Sequence, residues 1–138
     1  MSERPTPIPD DRSAGYWESA AIGTLTVVQC GACGASSFPP AWVCPVCRAA
    51  MPEITWQPVP GRGRIRSWTV VRQAFLPGVD VPYTLLDVEL DETEGVRVIG
   101  RLVGDPEAEL HLDEQVVVEF EDLGSDMAVP AFRRVGQP

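Results

Sequence analysis

The sequence contains no lysine and no asparagine, and His111 is its only histidine. Without an ε-amino group, Schiff-base chemistry and a lysine phosphate clamp are both closed to it. One imidazole limits any Ser-His-Asp or Cys-His set to a single site. His111 stands in the acidic stretch His111-Leu112-Asp113-Glu114, with no nucleophile spaced to be activated, and reads as an exposed surface residue. No stretch approaches the roughly 20 apolar residues of a membrane span. Met1-Ser2-Glu3-Arg4-Pro5 has no apolar h-region for secretion. A soluble, cytoplasmic protein is expected. Positive charge is scarce: 11 basic residues, all arginine, face 20 acidic ones in 138 residues, a formal net charge of −9. That balance disfavours nucleic acid as a general partner, because such affinity depends on neutralising phosphates.

What is present is enough for one compact unit or two small ones. Hydrophobic residues make up 44% of the chain, and 12 glycines with 14 prolines fall short of a low-complexity composition. Charge is segregated. Residues 1–61 carry three arginines and five acids, whereas residues 62–74 carry Arg62, Arg64, Arg66 and Arg72 with no acid. Residues 75–138 carry four arginines and 15 acids.

Pro5, Pro7 and Pro9 predict an extended, disordered arm. Asp10 or Asp11 then caps a helix over about 11–22, with Ala14, Tyr16, Trp17, Ala20, Ala21 and Ile22 as its apolar positions and Gly23 as its stop. Tyr16 and Trp17 serve either packing within the chain or docking on a partner.

Cys30-Gly-Ala-Cys33 and Cys44-Pro-Val-Cys47 are the most specific signal. Each C-x2-C turn sets two thiolates on one side of a metal, and two such turns complete a tetrahedral four-thiolate cage. The pattern predicts structural zinc, with iron in a rubredoxin-like site and disulfides or a redox role as the competing accounts. A closed cage leaves no position for water or substrate. Expected strands at 24–29 and 53–58 flank the turns in a segment too short to bury a core without metal. Phe38 and Trp42, between the turns, either pack on the ribbon or project as a contact surface.

Beyond Gly61 the pattern alternates. Strands are expected at 64–72, 82–89, 96–103, 115–121 and 129–134, with a short helical or turn connection at 105–110. In the second, Tyr83, Leu85, Asp87 and Glu89 share one face and Thr84, Leu86, Val88 and Leu90 the other. Five strands with a connection after the third is the OB-fold order. The fold class is therefore mainly β: an N-terminal arm and helix (1–23), a four-cysteine zinc ribbon (24–60) and a five-stranded OB barrel (61–138). Arg62, Arg64 and Arg66 fall on one strand face, either pairing with the barrel's own acids or meeting a phosphate-bearing ligand or acidic partner. The run Asp87, Glu89, Asp91, Glu92 and Glu94 reads as a solvated hairpin.

Ribbon and barrel together resemble the zinc-ribbon/OB-fold family catalogued as domain of unknown function thirty-five. The resemblance runs along nearly the whole chain. It is carried by Pro9-Asp10-Asp11 with Tyr16-Trp17-Glu18 and Gly23-Thr24-Leu25, by Cys30-x2-Cys33-Gly34, Phe38-Pro39-Pro40 and Cys44-Pro45-x-Cys47, by Gly61-x-Gly63-x-Ile65-x-Ser67-Trp68-Thr69-Val70-Val71, by Pro82-Tyr83 with Val88-Glu89-Leu90, and by Pro130-Ala131-Phe132-Arg133. Cys47-Arg48-Ala49 departs from the family's frequent Cys-Gly-Ser. The resemblance implies a non-catalytic subunit that binds a thiolase-superfamily enzyme, a thiolase or a lipid-transfer-protein-like retro-aldolase, and supports its acyl-CoA channel, sometimes beside a MaoC-type hydratase. Steroid or other lipid degradation is the implied setting, for a stand-alone or excised domain. Arg62, Arg64, Arg66 and Arg72 are then candidates for CoA phosphates, and Tyr16, Trp17, Phe38 and Trp42 for partner contact. The alternative is single-stranded nucleic-acid binding, with Trp68 stacking a base.

Overall fold

Asp10 organises the start of the helical segment through its side chain. In the computed structural model, which describes residues 4–136, Asp10 Oδ1 accepts the N–H groups of Arg12 (3.0 Å) and Ser13 (2.8 Å), and Ser13 Oγ accepts the N–H of Asp10 (3.1 Å). Residues 1–3 of the expected arm and residues 137–138 at the end of the expected barrel segment lie outside the described residues. The Asp10 turn occupies residues 11–13, so helix α1 is Ala14–Ala21, shorter than the expected 11–22. It buries Tyr16 and Ala20, while Ile22, counted among the apolar positions, is 82% exposed. Gly23 follows at φ +83°, a left-handed stop that glycine adopts without a Cβ clash.

Strands β1 (Leu25–Gln29), β2 (Ser36–Ser37) and β3 (Thr55–Val59) form an antiparallel sheet in the order β2-β1-β3. The second begins three residues later, at Arg62. Strands β4 (Arg62–Val71), β5 (Tyr83–Leu90), β6 (Arg97–Leu102), β7 (Gln115–Gly124) and β8 (Met127–Arg134) close into a barrel in the order β4-β5-β6-β8-β7, with β6 and β8 parallel. This is the OB-fold order. Along β5 burial alternates residue by residue, with Thr84, Leu86, Val88 and Leu90 inward. The connection over 103–114 contains turns and no helix. It is tied down at its end, where Asp113 N–H donates to Ile65 O (2.8 Å) and Ile65 N–H to Glu114 O (3.0 Å).

One apolar cluster runs through helix, ribbon and barrel: Tyr16, Leu25 and Val27 pack with Ile65, Leu86, Val88, Val98 and Phe132. A second, smaller cluster of Val28, Cys30, Cys44 and Met51 lies under the metal turns. β1 therefore serves two cores, since Leu25 and Val27 reach the barrel while Val28 faces the cysteines. The ribbon's own cluster is too small to stabilise it without metal.

Arg134 closes the barrel's last strand onto Glu114 through Nε, and through Nη2 at 3.0 Å from Oε1. The hydrogen bond from Arg134 holds the Glu114 carboxyl below its ordinary value of 4.5. A carboxylate with a lowered folded pKa adds stability above the unfolded value, and that stability is lost as pH falls through the folded one. Glu114→Gln is expected to be less stable than the parent at pH 7, the gap narrowing as pH falls below about 4.5. Urea midpoints measured across that range check it; a pH-independent gap contradicts it.

Candidate functional site

The two C-x2-C turns are built alike. Cys30 O accepts the N–H of Gly34 (2.9 Å) and Cys44 O that of Arg48 (3.0 Å), while Cys30 N–H donates to Ala35 O and Cys44 N–H to Ala49 O. Gly34 sits at φ +75° and Arg48 at φ +67°, so the departure at Arg48 leaves the turn geometry intact and puts a non-glycine residue in the left-handed region. Backbone N–H groups aim at sulfur: Ala32 to Cys30 Sγ (3.4 Å), Val46 to Cys44 Sγ (3.4 Å) and Cys47 to Cys44 Sγ (3.5 Å). Amide donors from Cys47 and Val46 bring the Cys44 thiol down to about 6. The same kind of donation, from Cys33 and Ala32, lowers Cys30.

All four Sγ atoms lie within 4.8 Å of one another, with Cys30–Cys47 at 3.7 Å and Cys33–Cys44 at 3.8 Å. Tetrahedral zinc at about 2.3 Å from each sulfur requires S···S edges of about 3.8 Å, whereas a disulfide requires about 2.05 Å. The four cysteines fit zinc. It would crosslink the turns as a structural ion, with every coordination position taken by the chain's own thiolates.

Arg12 joins the helical segment to this centre. Its Nη2 donates to Ala41 O (2.5 Å) and Met51 O (3.0 Å), its Nη1 to Pro52 O (3.3 Å), and its guanidinium carbon lies 3.7 Å from the centroid of the Trp42 ring. Trp42 is otherwise exposed. Tyr16 is not available for partner contact: it is 4% exposed, because its ring packs against Trp17, Phe38 and Trp56 at centroid distances of 4.9, 5.2 and 5.9 Å. Trp17 and Phe38 are half-buried at the edge of that cluster.

The four arginines of residues 62–74 follow β4 and its end. Arg62, Arg64 and Arg66 are exposed between the buried Gly63 and Ile65, so they do share a face, up to a bulge between Ile65 and Ser67. Arg64 lies 3.9 Å from Asp91; Arg66 reaches Asp113 (2.5 Å) and Glu89 (3.5 Å); Arg72 donates twice to Glu107 (2.7 and 3.2 Å). Arg62 makes no ion pair among the described residues. Exposed pairs of this kind contribute little to stability, so a phosphate can take over the guanidinium at little cost.

A groove of about 860 Å³ runs between the barrel's outer face and the elements packed beside it. Its floor is Leu85, Ile99 and Val129; its walls include Trp17, Phe38 and Leu76; and the arm residues 4–7 lie along it. Arg4 and Arg101 (2.6 Å) both bond Glu121 Oε1, and Arg97 bonds Asp87 (2.6 Å). The arm expected to be disordered is thus laid against the barrel from Arg4 onward. Sequence reasoning missed the groove, Arg12 and the Arg97/Arg101 pair. For the last a signal existed: alternation in Arg97-Val98-Ile99-Gly100-Arg101 places an isoleucine between two arginines on the solvent side.

Two family models match, one described as the ChsH2 rubredoxin-like zinc ribbon domain over residues 17–52, the other as the ChsH2 C-terminal OB-fold domain over residues 56–121. A DUF35 domain-containing scaffold protein of Methanothermobacter thermautotrophicus is 33% identical over 70% of this chain and 71% of its own. The chain belongs to the DUF35 family. A solved structure described as Ltp2-ChsH2(DUF35) aldolase superposes with a TM-score of 0.80 at 26% identity, covering 93% of this DUF35 chain and 98% of the other. A probable enoyl-CoA hydratase alpha subunit of Thermomonospora curvata is 30% identical over 94% of this chain, which spans 40% of that relative's length. A Sulfolobus solfataricus DUF35 protein shares the fold at 10% identity and a TM-score of 0.57. The family confirms the zinc ribbon and OB barrel as the two modules. Among the described residues no helix is long and apolar enough to cross a membrane.

Proposed function

We propose that this DUF35 chain is a non-catalytic accessory subunit that binds a thiolase-superfamily enzyme, a thiolase or a lipid-transfer-protein-like aldolase, and supports its acyl-CoA channel. The observation that carries the reading is the near-complete superposition on a chain of the Ltp2-ChsH2(DUF35) aldolase structure, over 93% of one chain and 98% of the other. The relatives named as scaffold proteins and as a probable enoyl-CoA hydratase alpha subunit support an enzyme partner. A MaoC-type hydratase is a further member of the assembly we propose. Steroid or other lipid degradation in the cytoplasm is the setting this assembly suits.

In the assembly, zinc and the shared core hold helix and barrel in one orientation. Trp42, Trp17 and Phe38 are the partner contacts we propose. Arg62, Arg64, Arg66 and Arg72 meet CoA phosphates, the last three by exchanging their surface carboxylates for a stronger, doubly charged acceptor. The test is steady-state kinetics of the reconstituted complex with the Arg64→Ala/Arg66→Ala variant. A several-fold rise in KM for the CoA thioester, with zinc content and assembly unchanged, is the expected result. Unchanged KM and unchanged assembly reject the arginine assignment, and thioester-cleaving activity of the isolated chain rejects the accessory role.

A further inference from the structure

The four sulfurs of the cage differ in what can reach them. Cys30 and Cys44 are buried in the small cluster with Val28 and Met51, whereas Cys33 and Cys47, the last residue of each turn, are exposed. A metal-bound cysteine is a thiolate, and oxidation of thiolates follows their exposure. Each exposed sulfur has a buried sulfur of the opposite turn beside it: Cys47 lies 3.7 Å from Cys30, and Cys33 lies 3.8 Å from Cys44. A disulfide needs about 2.05 Å, so each crossed pair has about 1.7 Å to close.

Both crossed pairs join the first turn to the second. Oxidation along these contacts therefore exchanges one crosslink for another, since zinc ties the turns together before it and disulfides tie the same turns after it. Pairing within a turn, Cys30 with Cys33 or Cys44 with Cys47, leaves the turns separate. A change at the second turn also has a route outward. Arg12 holds the carbonyls of Ala41, Met51 and Pro52, on either side of Cys44 and Cys47, and its guanidinium lies over the exposed Trp42 ring.

We infer that Cys33 and Cys47 are a modification site for hydroperoxides, whose reaction turns the zinc cage into the crossed disulfides Cys30–Cys47 and Cys33–Cys44. In the first step an exposed thiolate attacks the peroxide: an S–O bond forms, the O–O bond breaks and hydroxide leaves, giving a sulfenic acid. The buried thiolate beside it then attacks that sulfur, forming S–S, breaking S–O and releasing a second hydroxide. Each disulfide takes two electrons from sulfur and reduces one peroxide to two hydroxide ions. The two thiolates left after the first disulfide do not complete the cage, which gives up its zinc. The device goes beyond the accessory role and does not depend on which enzyme the chain binds.

Titration of the zinc-loaded full chain with hydrogen peroxide, followed with a colorimetric zinc chelator, thiol counting and mass mapping of unreduced peptides, tests it. About two equivalents of peroxide are expected to release all the zinc and consume all four thiols, with Cys30–Cys47 and Cys33–Cys44 as the mapped pairs. Dithiothreitol with added zinc is expected to reverse the change. The oxidised chain is expected to melt above the reduced chain stripped of zinc by a chelator, because its turns remain joined. A tryptophan fluorescence change that Trp42→Phe removes is the expected sign of the route through Arg12. Disulfides within the turns, sulfinic or sulfonic acids in place of disulfides, or zinc retained at peroxide levels that oxidise glutathione overturn the inference. An oxidised chain that melts no higher than the zinc-stripped one overturns the exchange of crosslinks.

Discussion

Cys44→Ser is expected to remove the bound zinc and to lower the thermal midpoint of the entire chain, barrel included. Cys44 is 1% exposed, its sulfur accepts two backbone N–H groups, and it belongs to the small cluster with Val28, Cys30 and Met51. A structural zinc site contributes on the order of 10 kcal/mol, comparable with the whole stability of a domain this size. The effect reaches the barrel because β1 carries both cores: when the turns open, Leu25 and Val27 lose the strand that holds them against Ile65 and Phe132. Metal analysis and a melt followed in the near ultraviolet check it. A zinc-free variant whose barrel melts at the parental temperature shows that ribbon and barrel are independent, against the shared core described above.

Phe132→Ala is the second large effect, at about 3–5 kcal/mol and a midpoint lower by about 10 °C. Phe132 is fully buried on β8 at the centre of the common cluster. Its ring lies against Gly100 so closely that a Cβ there would stand 2.8 Å from two ring atoms. Gly100→Ala alone is therefore destabilising by overpacking. In the Phe132→Ala background the same change is expected to cost less, because its main obstruction is gone. A double-mutant cycle on denaturation midpoints measures this coupling; strict additivity contradicts the contact.

Much of this architecture was legible in the residues, for identifiable reasons. Metal turns are encoded by a few adjacent positions, so Cys30, Cys33, Cys44 and Cys47 announced their cage from spacing alone. Barrel strands declared themselves by two-residue alternation, as along Tyr83–Leu90, where the spacing separates the two faces and the structure buries the one with Thr84, Leu86, Val88 and Leu90. The helix is shorter than its apolar spacing suggests because Asp10 and Ser13 cap each other in a turn that consumes residues 11–13 before α1 begins. Tyr16 takes the first of its two alternatives, packing within the chain, and helical spacing alone cannot say whether an aromatic faces the chain's own core or a partner. The groove was invisible for a different reason. Its lining is scattered between residues 4 and 130, and only closure of the barrel brings it together. Arg12 likewise gave no local sign of the three carbonyls it holds near residues 41–52.

We propose above that this chain works as part of a thiolase-superfamily assembly. Affinity purification from its source organism with the zinc-loaded chain as bait, followed by mass spectrometry, nucleic-acid assay and quantitation of the bound fraction, tests it most directly. Recovery of a thiolase or lipid-transfer-protein-like aldolase in near-stoichiometric amount, free of nucleic acid, is the expected result. Recovery of single-stranded nucleic acid with no such enzyme, or of the zinc-loaded chain alone, contradicts it.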